Sequence, residues 1–424
     1  MFIKRQIKNK FVFNIVGKLA TLFLSVFIFS LILDWTLGLF GFPSKGKVCY
    51  SHPPNRCEIR KNIEFQYRFE SNSRGLRYRE IPEEKPDGSY RIWVAGDSFV
   101  EGLGVDAEDR FTEYLERSFS HSEQPAYFIN GGLVGTGPLE YGRLFLKIGL
   151  DYNPDGLLIC LYANDLINTQ ANVIPGDLYY QEKQQHGIEK LFRNLWPRMF
   201  LLVKKFQSQH HQKKTASPSD FFSIVSQKAL RDGIPQERIA EWKEGLSPEL
   251  VEATNKKLFY GNVFSRGLLY PHCWISTLDI KGAKAEASWK AMSGLLEEII
   301  KQARSHSIKV GLIFIPSRFQ YNPESHKESN PWIQGGAEVR AAWLNEETEI
   351  QRRLALLAKQ LDLPFLDMTT DLRRAMERGA KLNWEFDDHW TSKGHKVAGE
   401  IIREWIDREQ VFSFLPKSIT EKVE

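Results

Sequence analysis

Cysteine is scarce, with four in 424 residues. No C-x-x-C pair or Cys/His spacing suggests zinc, so no metal-built module is expected. The glycine-rich stretch from Gly131 to Gly137 does not match G-x-G-x-x-G, and Pro138 and Glu140 stand where a phosphate-cradling helix would begin, which argues against a dinucleotide site. Neither an internal repeat nor a heptad run occurs. Excess positive charge is lacking outside the N-terminus. The formal net charge is +4, yet within residues 1–47 Lys4, Arg5, Lys8, Lys10, Lys18, Lys45 and Lys47 face Asp34 alone. The remainder is therefore nearly neutral and carries no electrostatic footprint for nucleic acid. A hydrophobic share of 42% with 26% charged residues is that of a globular chain, and the length suits one large domain with insertions or two ordinary ones.

What the N-terminus does have is one long apolar run. From Leu19 to Phe42 the only charged residue is Asp34, and the stretch has about the length of a bilayer-spanning helix. Lys4, Arg5, Lys8 and Lys10 precede it. The positive-inside rule then puts residues 1–18 in the cytoplasm, a transmembrane anchor at 19–42, and the rest on the extracytoplasmic (periplasmic) side of the cytoplasmic membrane. A cleaved signal peptide is the competing reading, but the run is long for one and Leu39-Phe40-Gly41-Phe42 lacks a small-x-small cleavage site. Asp34 counts against an anchor, because a carboxylate deep in hydrocarbon is costly unless it sits near an edge. Further on, Cys49 and Cys57 bracket a short Pro-Pro loop and suit a disulfide in an oxidising compartment, whereas Cys160, within the apolar run from Gly156 to Leu161, reads as a small buried hydrophobe.

Residues 43–88, rich in Pro, Ser, Asn and charge, read as a linker and domain entrance with one candidate strand from Phe65 to Phe69. From 89 to 412 the rhythm is strand, loop, helix. Strands are predicted at Tyr90 to Ala95, Tyr127 to Ile129, Gly156 to Tyr162, Lys309 to Ile315 and Pro364 to Leu366. Helices are predicted at Glu108 to Ser118, Leu139 to Leu150, Ala285 to Ser305, Ala341 to Leu361 and Ser392 to Asp407. Their order implies a parallel sheet with covering helices. Residues 166–284 interrupt it without clear strand periodicity and read as an insertion, with a mobile loop in the polar, basic run from Lys204 to Asp220; 413–424 is a C-terminal tail.

The residues that carry chemistry fall at strand ends, where open α/β sheets bind ligands. Gly96-Asp97-Ser98 follows one strand; alone it is an ordinary turn and helix cap. Asn130 and the glycines up to Gly137 follow the next, and glycines there can aim a backbone N–H into a cleft or simply make a turn. Asn164-Asp165 follows the third and offers a side-chain amide, though Asn-Asp also ends strands as a plain turn. Of ten histidines only His389 stands in a carboxylate-rich setting, just after Asp387-Asp388. A serine hydroxyl needs a neutral imidazole to take its proton, and a carboxylate to fix the tautomer and stabilise the imidazolium; Asp two residues before His on a loop can do that. A solvated acidic loop is the bland alternative. Trp384 and Trp390 beside it can stack on a sugar ring or pack under the last helix.

In content and in order these four blocks resemble the SGNH (GDSL) hydrolase superfamily: Ser98 in Gly-Asp-Ser, Gly135 five residues after Asn130, Asn164 in Asn-Asp, and His389 with Gly394 five residues later. The resemblance implies a flavodoxin-like three-layer α/β/α sandwich, Ser98 as nucleophile, and His389 as base. It also implies an oxyanion hole of the Ser98 N–H, the Gly135 N–H and the Asn164 amide, with no metal or organic cofactor. Asn72-Ser73-Arg74-Gly75-Leu76-Arg77 and Gly102-x-Gly104-Val105 look like segments flanking the first block in membrane-anchored members. The usual D-x-x-H would need Asp at 386, where Phe386 stands. Asp387-Asp388-His389-Trp390-Thr391 is closer to the D-x-H-W-T form of SGNH-like O-acetyltransferases of exported polysaccharides, which favours Asp387 over Asp388 as the acid. The expected activity is a serine-dependent acyl or acetyl ester hydrolase acting on an acylated small molecule, lipid or glycan. The alternatives are an O-acetyltransferase for an envelope or exported polysaccharide, and an SGNH-like domain without turnover, tethered to the membrane as a binding or assembly protein.

Overall fold

The computed structural model describes residues 51–82, 84–120, 124–179 and 221–418, together with 18, 21, 22, 24–37, 39, 195, 196, 198, 199 and 202. It divides into two units: residues 49–179 with 221–424, and residues 1–48 with 180–220.

The larger unit begins with a hairpin, β1 (Cys57–Lys61) antiparallel to β2 (Gln66–Glu70). Tyr67 and Phe69 of β2 point inward with Phe65 and Leu103, while alternate residues stay exposed, the period of two expected of a half-buried strand. Five further strands, β3 (Tyr90–Gly96), β4 (Ala126–Gly132), β5 (Gly156–Tyr162), β6 (Lys309–Ile315) and β7 (Phe365–Asp367), form one parallel sheet in the order β4-β3-β5-β6-β7. This is the flavodoxin-like order, with its reversal between β3 and β5. Every residue of β5 is buried. Because successive side chains point to opposite faces, both faces of the sheet are covered, which is the expected three-layer sandwich.

Short helices follow the first strands: α1 (Ser98–Glu101), α2 (Phe111–Phe119), α3 (Pro138–Lys147) and α4 (Asp165–Asn168). The insertion then contributes α5 (Phe221–Arg231), α6 (Gln236–Gly245), α7 (Pro248–Asn255), α8 (Asn262–Leu269) and α9 (Cys273–Leu278). Finally α10 (Ala283–Ser305), α11 (Glu349–Gln360), α12 (Thr369–Glu377) and α13 (Ser392–Glu409) complete the layers. α3 packs on α10 and α2 on α13. Glycines permit both approaches: a Cβ on Gly142 would lie 2.7 Å from Ile299, and one on Gly399 2.5 Å from Tyr114.

β5 and β6 span their predicted residues, whereas β1 and α12 escape sequence reading and α11 starts later than predicted, at the Thr348 capping box. The insertion is not one irregular body. Its helices α5–α8 build a core from Val225, Ile239, Trp242, Leu250 and Phe264, onto which Phe386 packs. Residues 180–220 group instead with the N-terminal 1–48, and the run from Lys204 to Asp220 lies outside the described residues.

In the smaller unit, residues 24–37 are helical. Asp34 is buried there and satisfied: it accepts the N–H groups of Arg198 at 2.9 Å and Met199 at 2.8 Å and pairs with the Arg198 guanidinium at 3.4 Å. Among the described residues no helix is long and apolar enough to cross a membrane, so the anchor expected at 19–42 is not borne out by them. Positions 19, 20, 23, 38 and 40–42 of that run lie outside the described residues. So does Cys49, the expected disulfide partner of Cys57, which stands exposed at the start of β1. Cys160 is wholly buried in β5, as expected of a small hydrophobe.

The segments flanking the first block meet through one side chain. Asn72 folds its own loop by accepting the N–H groups of Arg74 and Leu76 at 3.0 and 2.9 Å, with Gly75 at φ +77°, and so aims the buried Arg77 at the turn after α1. Arg77 donates to the carbonyls of Glu101 (2.9 Å), Gly102 (2.5 Å), Val105 (2.7 Å) and Arg68 (3.1 Å). Arg77→Met would strand these buried acceptors, and a loss of about 2–4 kcal/mol in urea unfolding is the expected outcome.

Candidate active site

β3, β4 and β5 end at one edge of the sheet, and the loops leaving them carry the first three sequence blocks. Asp97 caps α1 by accepting the Phe99 N–H at 2.9 Å, which sets Ser98 as the first helical residue with its own N–H among the unpaired donors of a helix start. His389 arrives from the loop before α13. Its Nε2 lies 2.7 Å from Ser98 Oγ and its Nδ1 2.5 Å from Asp387 Oδ1. Asp387 Oδ1 also accepts the His389 backbone N–H at 3.0 Å, so the two-residue spacing closes on itself. Asp388 takes another direction: it accepts the Trp332 indole N–H at 2.6 Å and faces the Arg318 guanidinium at 3.6 Å. Asp387 is thus the carboxylate on the imidazole.

Two side chains hold this loop from opposite sides. The Glu64 carboxylate accepts the N–H groups of Glu385, Phe386 and Asp387 at 2.6, 3.0 and 2.7 Å, while Arg318 donates to the carbonyls of Glu385 and Asp387 at 3.2 Å each. The donor loop has its own brace. Glu101, fully buried on α1, accepts the Val134 N–H at 2.9 Å, the His52 Nε2 at 2.8 Å and Arg60 at 3.1 Å. Gly135, next to Val134, has φ +74° with open space where a Cβ would stand, so its backbone can face a ligand directly. Asn168 donates to Thr136 O at 3.2 Å and to Asn164 Oδ1 at 3.3 Å, which leaves the Asn164 NH2 group free to donate elsewhere. Ser98, Gly135, Asn164 and His389 line one cavity of about 240 Å³.

Charge is arranged to favour a basic imidazole. Burial alone would lower the His389 pKa, but the charge and hydrogen bond of Asp387, with Asp97 and Asp388 beyond, leave it above its ordinary value of 6.5. Burial would raise the Asp387 carboxyl; the facing imidazole and the backbone N–H hold it below the usual range. Asp388 lacks that help and is pushed up by burial, and Asp97 rises to about 6 for the same reason. His395, stacked on Phe111, is driven by burial down to about 3.

Trp390 cannot stack on a sugar: it is wholly buried, edge-on to Phe99. Trp384 packs on Phe65 and lines a second cavity, of about 330 Å³, beyond Phe386. Sequence reasoning missed Glu101 and Asn168, although each lies a helical turn beyond a residue it singled out. It also missed Glu64 and Arg318, whose contacts with the His389 loop have no local signature.

No protein-family model matches the chain, and no curated protein sequence does. Among solved structures, a GDSL-like lipase from Bacteroides thetaiotaomicron VPI-5482 is 10% identical, with 78% of this chain and 93% of that one covered and a TM-score of 0.32. An acetyl xylan esterase is 9% identical, with 74% and 98% covered and a TM-score of 0.33. At identities and TM-scores this low, the reading of the site rests on its own geometry.

A histidine titration by NMR tests the electrostatics. His389 is expected to titrate above 6.5, and in Asp387→Asn, where the largest opposition to burial is removed and only the more distant Asp97 and Asp388 remain, at a lower pH than in wild type.

Proposed function

We propose that this chain is a serine-dependent ester hydrolase of SGNH type that works through an acyl-enzyme on Ser98. The observation that carries the reading is the hydrogen-bonded line from Asp387 through His389 to Ser98, with two further donors beside the hydroxyl. His389 Nε2 takes the Ser98 proton as Oγ attacks the ester carbonyl carbon. The carbonyl oxygen becomes an oxyanion facing the N–H groups of Ser98 and Gly135 and the Asn164 amide. The bond from carbonyl carbon to alcohol oxygen then breaks, and His389 returns its proton to the departing alkoxide. Water repeats the sequence on the acyl-enzyme and releases the acid.

Transfer of the acyl group to a sugar hydroxyl is the second reading. It is favoured by the carboxylate standing two residues before His389, the spacing of the polysaccharide O-acetyltransferases named above. A domain without turnover is disfavoured, because it has no chemical reason to keep all these groups in register. The proposed place of work is the extracytoplasmic side of a membrane, tethered through residues 19–42. The cationic residues before that run support this, as do the exposed Leu24, Val26, Phe29 and Ile32 on a helix whose one carboxylate is paired.

The test is turnover of 4-nitrophenyl esters by the full-length protein in detergent. Ser98→Ala and His389→Ala are expected to lower kcat by about 10³-fold or more, and Asn164→Ala by roughly 10²-fold. Unchanged turnover in Ser98→Ala would overturn the reading. Only neutral His389 can accept the proton, and its pKa is raised. kcat/KM should therefore fall as pH drops, through a midpoint above 6.5, and level off on the alkaline side.

A further inference from the structure

The sandwich supplies the reacting groups, but one wall of their cavity comes from the insertion: Phe259, Tyr260, Asn262, Val263 and Arg266, all on α8 or the turn before it. Arg266 is the only lysine or arginine on that lining. The carboxylates around it are already engaged, Asp97 in capping α1, Asp387 on His389, and Asp388 with Trp332 and Arg318. Arg266, a partly exposed residue, by contrast has no hydrogen-bond or ion-pair partner among the described residues. A guanidinium on a cavity wall with no counter-charge of its own is a ready partner for an anionic group that enters the cavity. Asn262 lies four residues earlier on the same face of α8 and also lines the cavity, so a carboxamide and a guanidinium flank one position. Phe259 and Tyr260 add an apolar surface beside them.

We propose that Arg266 selects esters bearing an anionic group, a carboxylate or phosphate carried on the same molecule as the acyl ester. This rests on the esterase reading above and narrows its substrate class. A guanidinium fork can hold either oxyanion through two parallel N–H donors, whereas a neutral ester leaves the cation unpaired.

Three probes of similar size separate the terms: 4-acetoxybenzoate, 4-acetoxyphenyl phosphate and the neutral 4-acetoxybenzamide, each offered to full-length wild type, Arg266→Gln and Arg266→Lys. Wild type is expected to prefer an anionic probe over the amide in kcat/KM. That preference should fall about tenfold in Arg266→Gln, mainly through KM, and be partly kept in Arg266→Lys. Whichever anion shows the larger loss identifies the oxyanion. An anionic-to-neutral ratio that stays the same in Arg266→Gln, with the fold checked by its thermal melt, overturns the proposal and leaves the esterase reading intact. Should wild type cleave none of the three, the esterase reading fails instead. Equilibrium titration of Ser98→Ala with 4-acetoxybenzoate, with and without Arg266→Gln, then decides the anion site separately: tighter binding with Arg266 present supports it, and equal binding overturns it.

Discussion

The hydrogen bond between Ser98 and His389 joins residues 291 positions apart, so no local segment can hold it at 2.7 Å. It is held from two sides. Ser98 is placed by the end of β3 and by Asp97 capping α1, both set in a parallel sheet buried on each face. His389 is placed by a loop that would otherwise be free to drift, and the N–H groups of that loop are gathered by Glu64 while its carbonyls are gathered by Arg318. Glu64 comes from the hairpin turn between β1 and β2, and Arg318 from the turn that follows β6. On the proposed reading this bracing has a purpose beyond stability, since a misplacement of about 1 Å at a catalytic site can cost roughly 10² in rate.

The same constraint explains why so many carboxylates lie buried near one edge. Each has a partner that keeps it useful. Burial would push Glu101 toward its neutral form, but the hydrogen bond and charge of His52, the Val134 N–H and Arg60 hold its pKa below the usual range. Its position ties the entrance segment, through His52 and Arg60, to the loop that presents Gly135. The stretch at 51–79 is therefore more than a tether. Through Asn72 and Arg77 it also fixes the turn after α1, so both sides of Ser98 depend on residues that precede the sheet.

The sheet and the reacting groups were legible in the sequence because both are written locally. β5 and β6 are unbroken apolar runs bounded by polar turns, and Ser98, Asn164 and His389 sit in short motifs at strand ends or before a helix. β1 was not legible: Cys57-Glu58-Ile59-Arg60-Lys61 carries no apolar alternation and is a strand only because β2 pairs with it. Glu64 and Arg318 were invisible for a related reason, since a carboxylate that gathers three N–H groups more than 300 residues away leaves no trace in its own neighbourhood. The helices of the insertion were not legible because they are short and their apolar residues face one another rather than the sheet, so no single stripe is long enough to read.

That second core also separates two kinds of choice in the molecule. On the proposed reading, proton transfer and oxyanion contact would belong to the sandwich, whose strand ends cannot move without losing the ladder that sets them. The opposite wall belongs to helices with their own packing, joined to the His389 loop where Phe386 settles on them. Changes on the outward face of α8 can therefore alter what enters the cavity while the distance from His389 to Ser98 stays as the sheet and the loop braces set it. Fold and triad would be the same for many esters. On the esterase reading, the choice among esters would fall instead to the few side chains, Tyr260, Asn262 and Arg266 among them, with which the insertion lines the cavity.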